Sequence, residues 1–117
     1  MTTNGVTIYH NPRCSKSRKT LALLLENGIE PTIVEYLKDP PDKGLLKILT
    51  NKLGVRPEQI VRKGEDTFKQ QFAGKSLNDD QWLEALSRHP ILIERPIVVR
   101  GGRAVLGRPP ENVLELI

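Results

Sequence analysis

The chain has one cysteine, Cys14, in 117 residues. It can form no internal disulfide, and it has no pair of thiols to pass electrons between. A reducing cytoplasm is the expected setting. Aromatic residues make up only 4% of the composition. The core must therefore be aliphatic, and there are too few rings for a base-stacking surface. No recognition motif appears either, so no nucleic-acid partner is expected despite a net charge of +4. No apolar run approaches the ~20 residues of a membrane span. Met1 to Gly5 lack the basic-then-apolar pattern of a secretion signal. One cysteine and two distant histidines, His10 and His89, give no zinc spacing, so neither a metal nor a bound cofactor is expected. Repeats and low-complexity segments are absent. The last shortage is local: no Asp or Glu occurs before Glu26.

Cys14 lies in that acid-free stretch. The run His10-Asn11-Pro12-Arg13-Cys14-Ser15-Lys16-Ser17-Arg18-Lys19 follows the strand-like Val6 to Tyr9 and opens a helix-like segment from Ser15 to Asn27. A helix N-terminus is already positive, through its free N–H groups and its macrodipole. Surrounding it with Arg13, Lys16 and Arg18 costs local stability unless something negative compensates. A thiolate and a bound oxyanion are the two candidates. A buried structural cysteine is the plain alternative, and the charge setting argues against it. Ser17 makes the pattern Cys-x-x-Ser, so its hydroxyl could donate to the thiolate or simply be solvated. It cannot close a disulfide, and any second thiol must come from outside. His10 either tunes the thiolate or shuttles a proton, or is an ordinary strand-end histidine. His89, before Pro90, reads as structural.

Pro31 to Tyr36 is rich in β-branched residues and reads as a second strand, giving a parallel, right-handed βαβ unit. The helix between carries Leu21, Leu24 and Leu25 on one face and ends at Gly28. From Lys43 to His89 the chain reads helical, with Leu45, Ile48 and Leu49 sharing a face. A short helix starts at Pro57, and another starts at Asn78 ahead of Trp82, Leu83 and Leu86. Pro96 to Val99 and Ala104 to Leu106 form a hairpin about Gly101-Gly102. Pro109-Pro110-Glu111 opens a last helix burying Val113, Leu114 and Ile117. The expected fold is α/β: one thioredoxin-like domain over 1–117, a four-stranded mixed sheet with helices on both faces and a helical insertion, at about 42–90, between the second and third strands. That fold puts its reactive cysteine where Cys14 stands, and a cis proline, here Pro96, beside it.

Arg62, Arg95 and Arg108 each adjoin a rigid or tight backbone element. Guanidinium forks suit tetrahedral oxyanions. Spacing alone leaves each of the three a surface charge or an anion ligand.

Taken together, Ile8-Tyr9-His10-Asn11-Pro12-Arg13-Cys14, Ser17-Arg18, Glu30-Pro31-Thr32-Ile33, Tyr36-Leu37, Ile60-Val61-Arg62-Lys63, His89 to Ile93, Arg95 to Val99 and Gly107-Arg108-Pro109 resemble the glutaredoxin-coupled arsenate reductases, the ArsC family, over nearly the whole chain. Ser15-Lys16 stands where the best-known members have Gly-Thr, and the chain ends soon after its last helix. It thus resembles the shorter ArsC-like branch. The resemblance implies that Cys14 attacks arsenate, that Arg62, Arg95 and Arg108 hold the anion, and that His10 and Ser17 assist the thiolate. Glutathione as co-substrate and glutaredoxin as partner would complete the reduction to arsenite. Two other readings stay open: a redox regulator resembling Spx, and a monothiol oxidoreductase.

Overall fold

Four strands and four α-helices account for about half of the described residues. The computed structural model describes residues 5–117; Met1 to Asn4, part of the Met1 to Gly5 segment expected to carry no secretion signal, lie outside it. Strand β1 (Val6–His10) and strand β2 (Thr32–Glu35) flank helix α1 (Ser15–Glu26). Helices α2 (Lys43–Leu53), α3 (Asp66–Gln71) and α4 (Asp79–Arg88) follow, then strands β3 (Ile97–Arg100) and β4 (Arg103–Leu106). Short 3-10 turns run over Pro57–Ile60, Pro90–Leu92 and Pro110–Glu115. The sheet order is β2-β1-β3-β4. β1 and β2 are parallel and the other two pairings antiparallel, which is the mixed sheet with its insertion between the second and third strands. The chain divides into two compact units, one up to Asp39 and from Arg95 onward, the other Pro40–Glu94.

In the sheet unit, alternation along β1 sends Val6 and Ile8 to one face. They pack there with Val98, Leu24, Val113 and Leu116. Helix α1 and the C-terminal turn thus share one face of the sheet rather than dividing between two. The buried stripe of α1 runs Ser17, Thr20, Leu24, whereas Leu25 is 54% exposed. The apolar face expected at Leu21, Leu24 and Leu25 is therefore rotated by one residue, because two polar side chains occupy the inner positions. The C-terminal segment departs in a similar way. It is a 3-10 helix, whose three-residue period buries Pro110, Val113 and Leu116 and leaves Leu114 45% exposed. The Arg100 guanidinium donates to the Leu116 carbonyl at 3.0 Å and ties this end to β3. In the β3–β4 hairpin Gly101 alone takes a positive φ, +61°, a conformation that costs glycine little.

In the insertion unit, α2 is capped by the Asp42 carboxylate, which accepts from Leu45 N–H at 2.8 Å. Asn78 and Gln81 form a reciprocal capping box at α4, at 2.8 and 2.9 Å. Helix α4 buries Trp82, Leu83 and Leu86. Helix α2 buries Leu46, Leu49 and Thr50, so Ile48, expected inward, is 50% exposed. Phe68 stacks on Trp82, and His89 meets the edge of Phe72, which gives His89 a packing role. Among the described residues no helix is long and apolar enough to cross a membrane.

Candidate active site

Cys14 is the N-cap residue of α1, in extended conformation at φ −91°, ψ 123°. A tight turn brings it there: Cys14 N–H donates to the Asn11 carbonyl and Arg13 N–H to Asn11 Oδ1, both at 3.0 Å. The Arg18 guanidinium closes the loop by donating to the Pro12 carbonyl, also at 3.0 Å. The first turn of α1 contains no acid, so the helix terminus keeps its positive potential.

The thiol is half-buried. Burial is the largest single influence on it and pushes its pKa up. Against that act the backbone N–H of Ser17, a hydrogen bond from the Arg95 side chain, the backbone N–H of Lys16 and the charge of Arg95. Together they win, and the Cys14 pKa lies below the ordinary cysteine value. The hydroxyl of Ser17 is engaged elsewhere. It lies 2.6 Å from His10 Nδ1 and accepts from Asn11 N–H at 3.1 Å. Ser17 thus presents its N–H to the thiol, while its buried side chain ties the end of β1 to α1. His10 is itself buried. Burial chiefly, with Arg18 adding, holds its pKa below the usual histidine value against the opposing pull of Glu35.

Arg95 comes from the entry to β3 and is 8% exposed. Its carbonyl accepts from Arg108 Nη1 at 3.2 Å, which sets the two arginines side by side. The Arg95–Pro96 peptide bond is cis, and so is Arg108–Pro109. The loop carrying Arg108 is pinned at three points. Gly107 N–H donates to the Pro96 carbonyl at 2.9 Å. Asn112 Nδ2 donates to the carbonyls of Leu106 and Arg108 at 3.1 and 3.2 Å. A Cβ on Gly107 would stand 2.7 Å from Pro96 Cγ and collide with Thr20.

Arg62 belongs to the insertion unit. A two-stranded bridge at Val61 and Ile93 fixes its backbone, with Arg62 N–H donating to the Leu92 carbonyl at 2.7 Å. Its guanidinium is held by two carboxylates, Glu65 at 3.1 Å and Glu94 at 2.9 Å. Burial lowers its pKa and the two carboxylates more than restore it. No group of three or more His, Cys, Asp or Glu side chains able to hold a metal occurs among the described residues.

The ArsC family model matches residues 9–116. The chain belongs to the ArsC family. Among its relatives, the uncharacterised protein YfgD of Escherichia coli (strain K12) is 49% identical over 117 residues, 98% of each chain. An arsenate reductase of Neisseria meningitidis (serogroup A, strain Z2491) is 46% identical, over 92% of this chain and 94% of its own. A solved structure of an arsenate reductase from Vibrio cholerae superposes with a TM-score of 0.92 at 49% identity, over 96% of this chain and 97% of that one.

For this ArsC-family member, sequence reasoning missed three supports of the site: Thr20, Gly107 and Asn112. Thr20 is a fully buried polar residue whose hydroxyl donates to the Lys16 carbonyl at 2.8 Å. The glycine itself was the available signal for Gly107, since a glycine can mark a place where another part of the chain approaches closely. Nothing local marks Asn112 apart from its place three residues after Pro109.

Proposed function

We propose that this protein is a single-cysteine arsenate reductase that draws its electrons from external thiols, glutathione with glutaredoxin, in the cytoplasm. The observation that carries the reading is the low-pKa Cys14, hydrogen-bonded by Arg95 at an acid-free helix N-terminus in a chain of the ArsC family.

The chemistry is a nucleophile beside an anion clamp. The Cys14 thiolate attacks arsenate; a sulfur–arsenic bond forms, one arsenic–oxygen bond breaks, and the hydroxyl group leaves as water with a proton taken from solvent. The backbone N–H groups of Lys16 and Ser17, with Arg95 and Arg108, supply the positive field for the anion and its adduct. Glutathione sulfur then attacks Cys14 Sγ. A disulfide forms, the sulfur–arsenic pair of electrons stays on arsenic, and arsenic(V) leaves as arsenite, taking the thiol proton. A second glutathione, with glutaredoxin, frees Cys14. His10 and Ser17 serve by holding the cysteine loop against α1. The assignment of Arg62 as a third anion ligand is carried by the resemblance alone, since its guanidinium is paired with Glu65 and Glu94.

Arsenate-dependent NADPH oxidation, coupled through glutathione, glutathione reductase and glutaredoxin, tests the reading, with Cys14→Ser as control. Turnover that vanishes in the variant supports it. Arg95→Leu and Arg108→Leu should each lose about 1.5–3 kcal/mol of anion binding. No arsenate turnover, with Cys14 still alkylated fast at neutral pH, would turn the reading to monothiol exchange, which the same lone thiolate favours.

A further inference from the structure

Cys14 has no second thiol in its own chain, so the thiol that resolves it has to dock beside it. Within the sheet unit, against the cysteine loop, lies a cavity of about 200 Å³. One wall is residues 10–13; the other is Glu35, Leu37 and Lys38. The parallel register of β1 and β2 sets His10 opposite Glu35, so the two strand ends frame the cavity.

Its groups are only loosely committed. Arg13 is exposed, and no described residue pairs with its guanidinium. Lys38 holds Glu35 at 3.5 Å with both ends in water, a weak pair. His10 is 6% exposed; its Nδ1 is taken by Ser17, and no described residue hydrogen-bonds its Nε2. In either tautomer that second nitrogen can donate or accept a hydrogen bond, and His10 is one of the residues lining the cavity. Leu37 supplies an exposed apolar contact.

We propose that this cavity seats the external thiol, a small peptide thiol of the glutathione class with two carboxylates and one ammonium. Arg13 takes one carboxylate as a fork and Lys38 the other, while Glu35, released from Lys38, accepts the ammonium. The cavity is smaller than the ~300–1,000 Å³ that encloses a drug-sized ligand, so part of the peptide stays in solvent. The cavity's lining stops at Arg13, one residue short of Cys14, and a tripeptide spans about 10 Å when extended, so the peptide's thiol has to reach past Arg13 to Sγ. The inference uses the arsenate reading only for the need of an external thiol.

The test has two arms. With arsenite formation measured directly, Arg13→Ala/Lys38→Ala should lose about tenfold more kcat/KM with glutathione than with 2-mercaptoethanol, a thiol without charged groups. Equal losses, or none, overturn the site. The second arm needs no arsenate: S-methylglutathione is titrated into Cys14→Ser and followed by backbone amide NMR. Saturable shifts at residues 10–13 and 35–38, lost in the added Arg13→Ala/Lys38→Ala background, support the site. Shifts centred elsewhere, or no saturable shift, overturn it. Binding in this arm without arsenate turnover in the first would leave the thiol site standing and remove only the oxyanion substrate.

Discussion

Arg95 is the one donor to Cys14 that a substitution removes cleanly, because the other two are backbone N–H groups of Lys16 and Ser17. Arg95→Leu takes away a cation and a hydrogen bond, both of which favour the thiolate, so the Cys14 pKa must rise. A rise of one unit cuts the thiolate fraction at neutral pH by up to about tenfold. The rate of iodoacetamide alkylation against pH reads this directly, as a midpoint moved upward. His10 gives the opposite kind of signal. Its pKa is lowered in the folded chain, so between the folded value and the unfolded value of about 6.5 the unfolded state binds more protons. Stability attributable to His10 is whole above that window and lost as pH falls through it. Thermal melts at stepped pH should therefore show a falling Tm below about 6.5 that is shallower in His10→Gln. Both side chains drew notice in the sequence for their neighbours, yet their partners did not show. The chain places Arg95 far from Cys14, and only the sheet brings the entry of β3 to the start of α1.

The stripes of the helices were legible in period but not in phase. Helix α1 buries Ser17 and Thr20 in line with Leu24, and α2 buries Thr50 beside Leu46 and Leu49. A search for apolar spacing lands one residue away when polar side chains hold the inner positions, and in α1 they do so because they brace the site. The C-terminal turn differs from the expected helix in period, because from Pro110 onward it runs as 3-10 helix. The loop before it carries the sharpest element-scale prediction. Gly107→Ala would press a methyl against Thr20 and Pro96. Pro96 is a rigid ring, so the loop must move instead, at about 1–3 kcal/mol of overpacking. Urea unfolding should show that loss. A raised KM for the oxyanion should accompany it, because Arg108 rides on the same loop.

At the scale of the molecule, the α/β order with an inserted helical segment could be read from the strand and breaker signals alone. The helical insertion, expected at about 42–90, lies within the compact unit Pro40–Glu94. The reach of Arg62 could not be read, because its carboxylate partners lie three residues on and at the far end of the insertion. The reading of 1–117 as one domain makes a measurable claim. Trp82 is the sole tryptophan and is buried in the insertion unit, while Cys14 stands in the sheet unit. Tryptophan fluorescence and protection of Cys14 from alkylation should then change at the same urea midpoint. Two separate midpoints would make the units independent folding bodies.

With a single thiol per molecule, the protein has a covalent valence of one. Oxidation can join it to one other sulfur and no further, so chains of cross-linked copies cannot grow. The loop around that sulfur carries Arg13, Lys16 and Arg18, all exposed and with no acid in the first helical turn. Two copies meeting sulfur to sulfur would bring like charges together, while an anionic small thiol meets attraction. The same surface that holds the thiolate ready thereby sorts its covalent partners by charge, turning away its own kind.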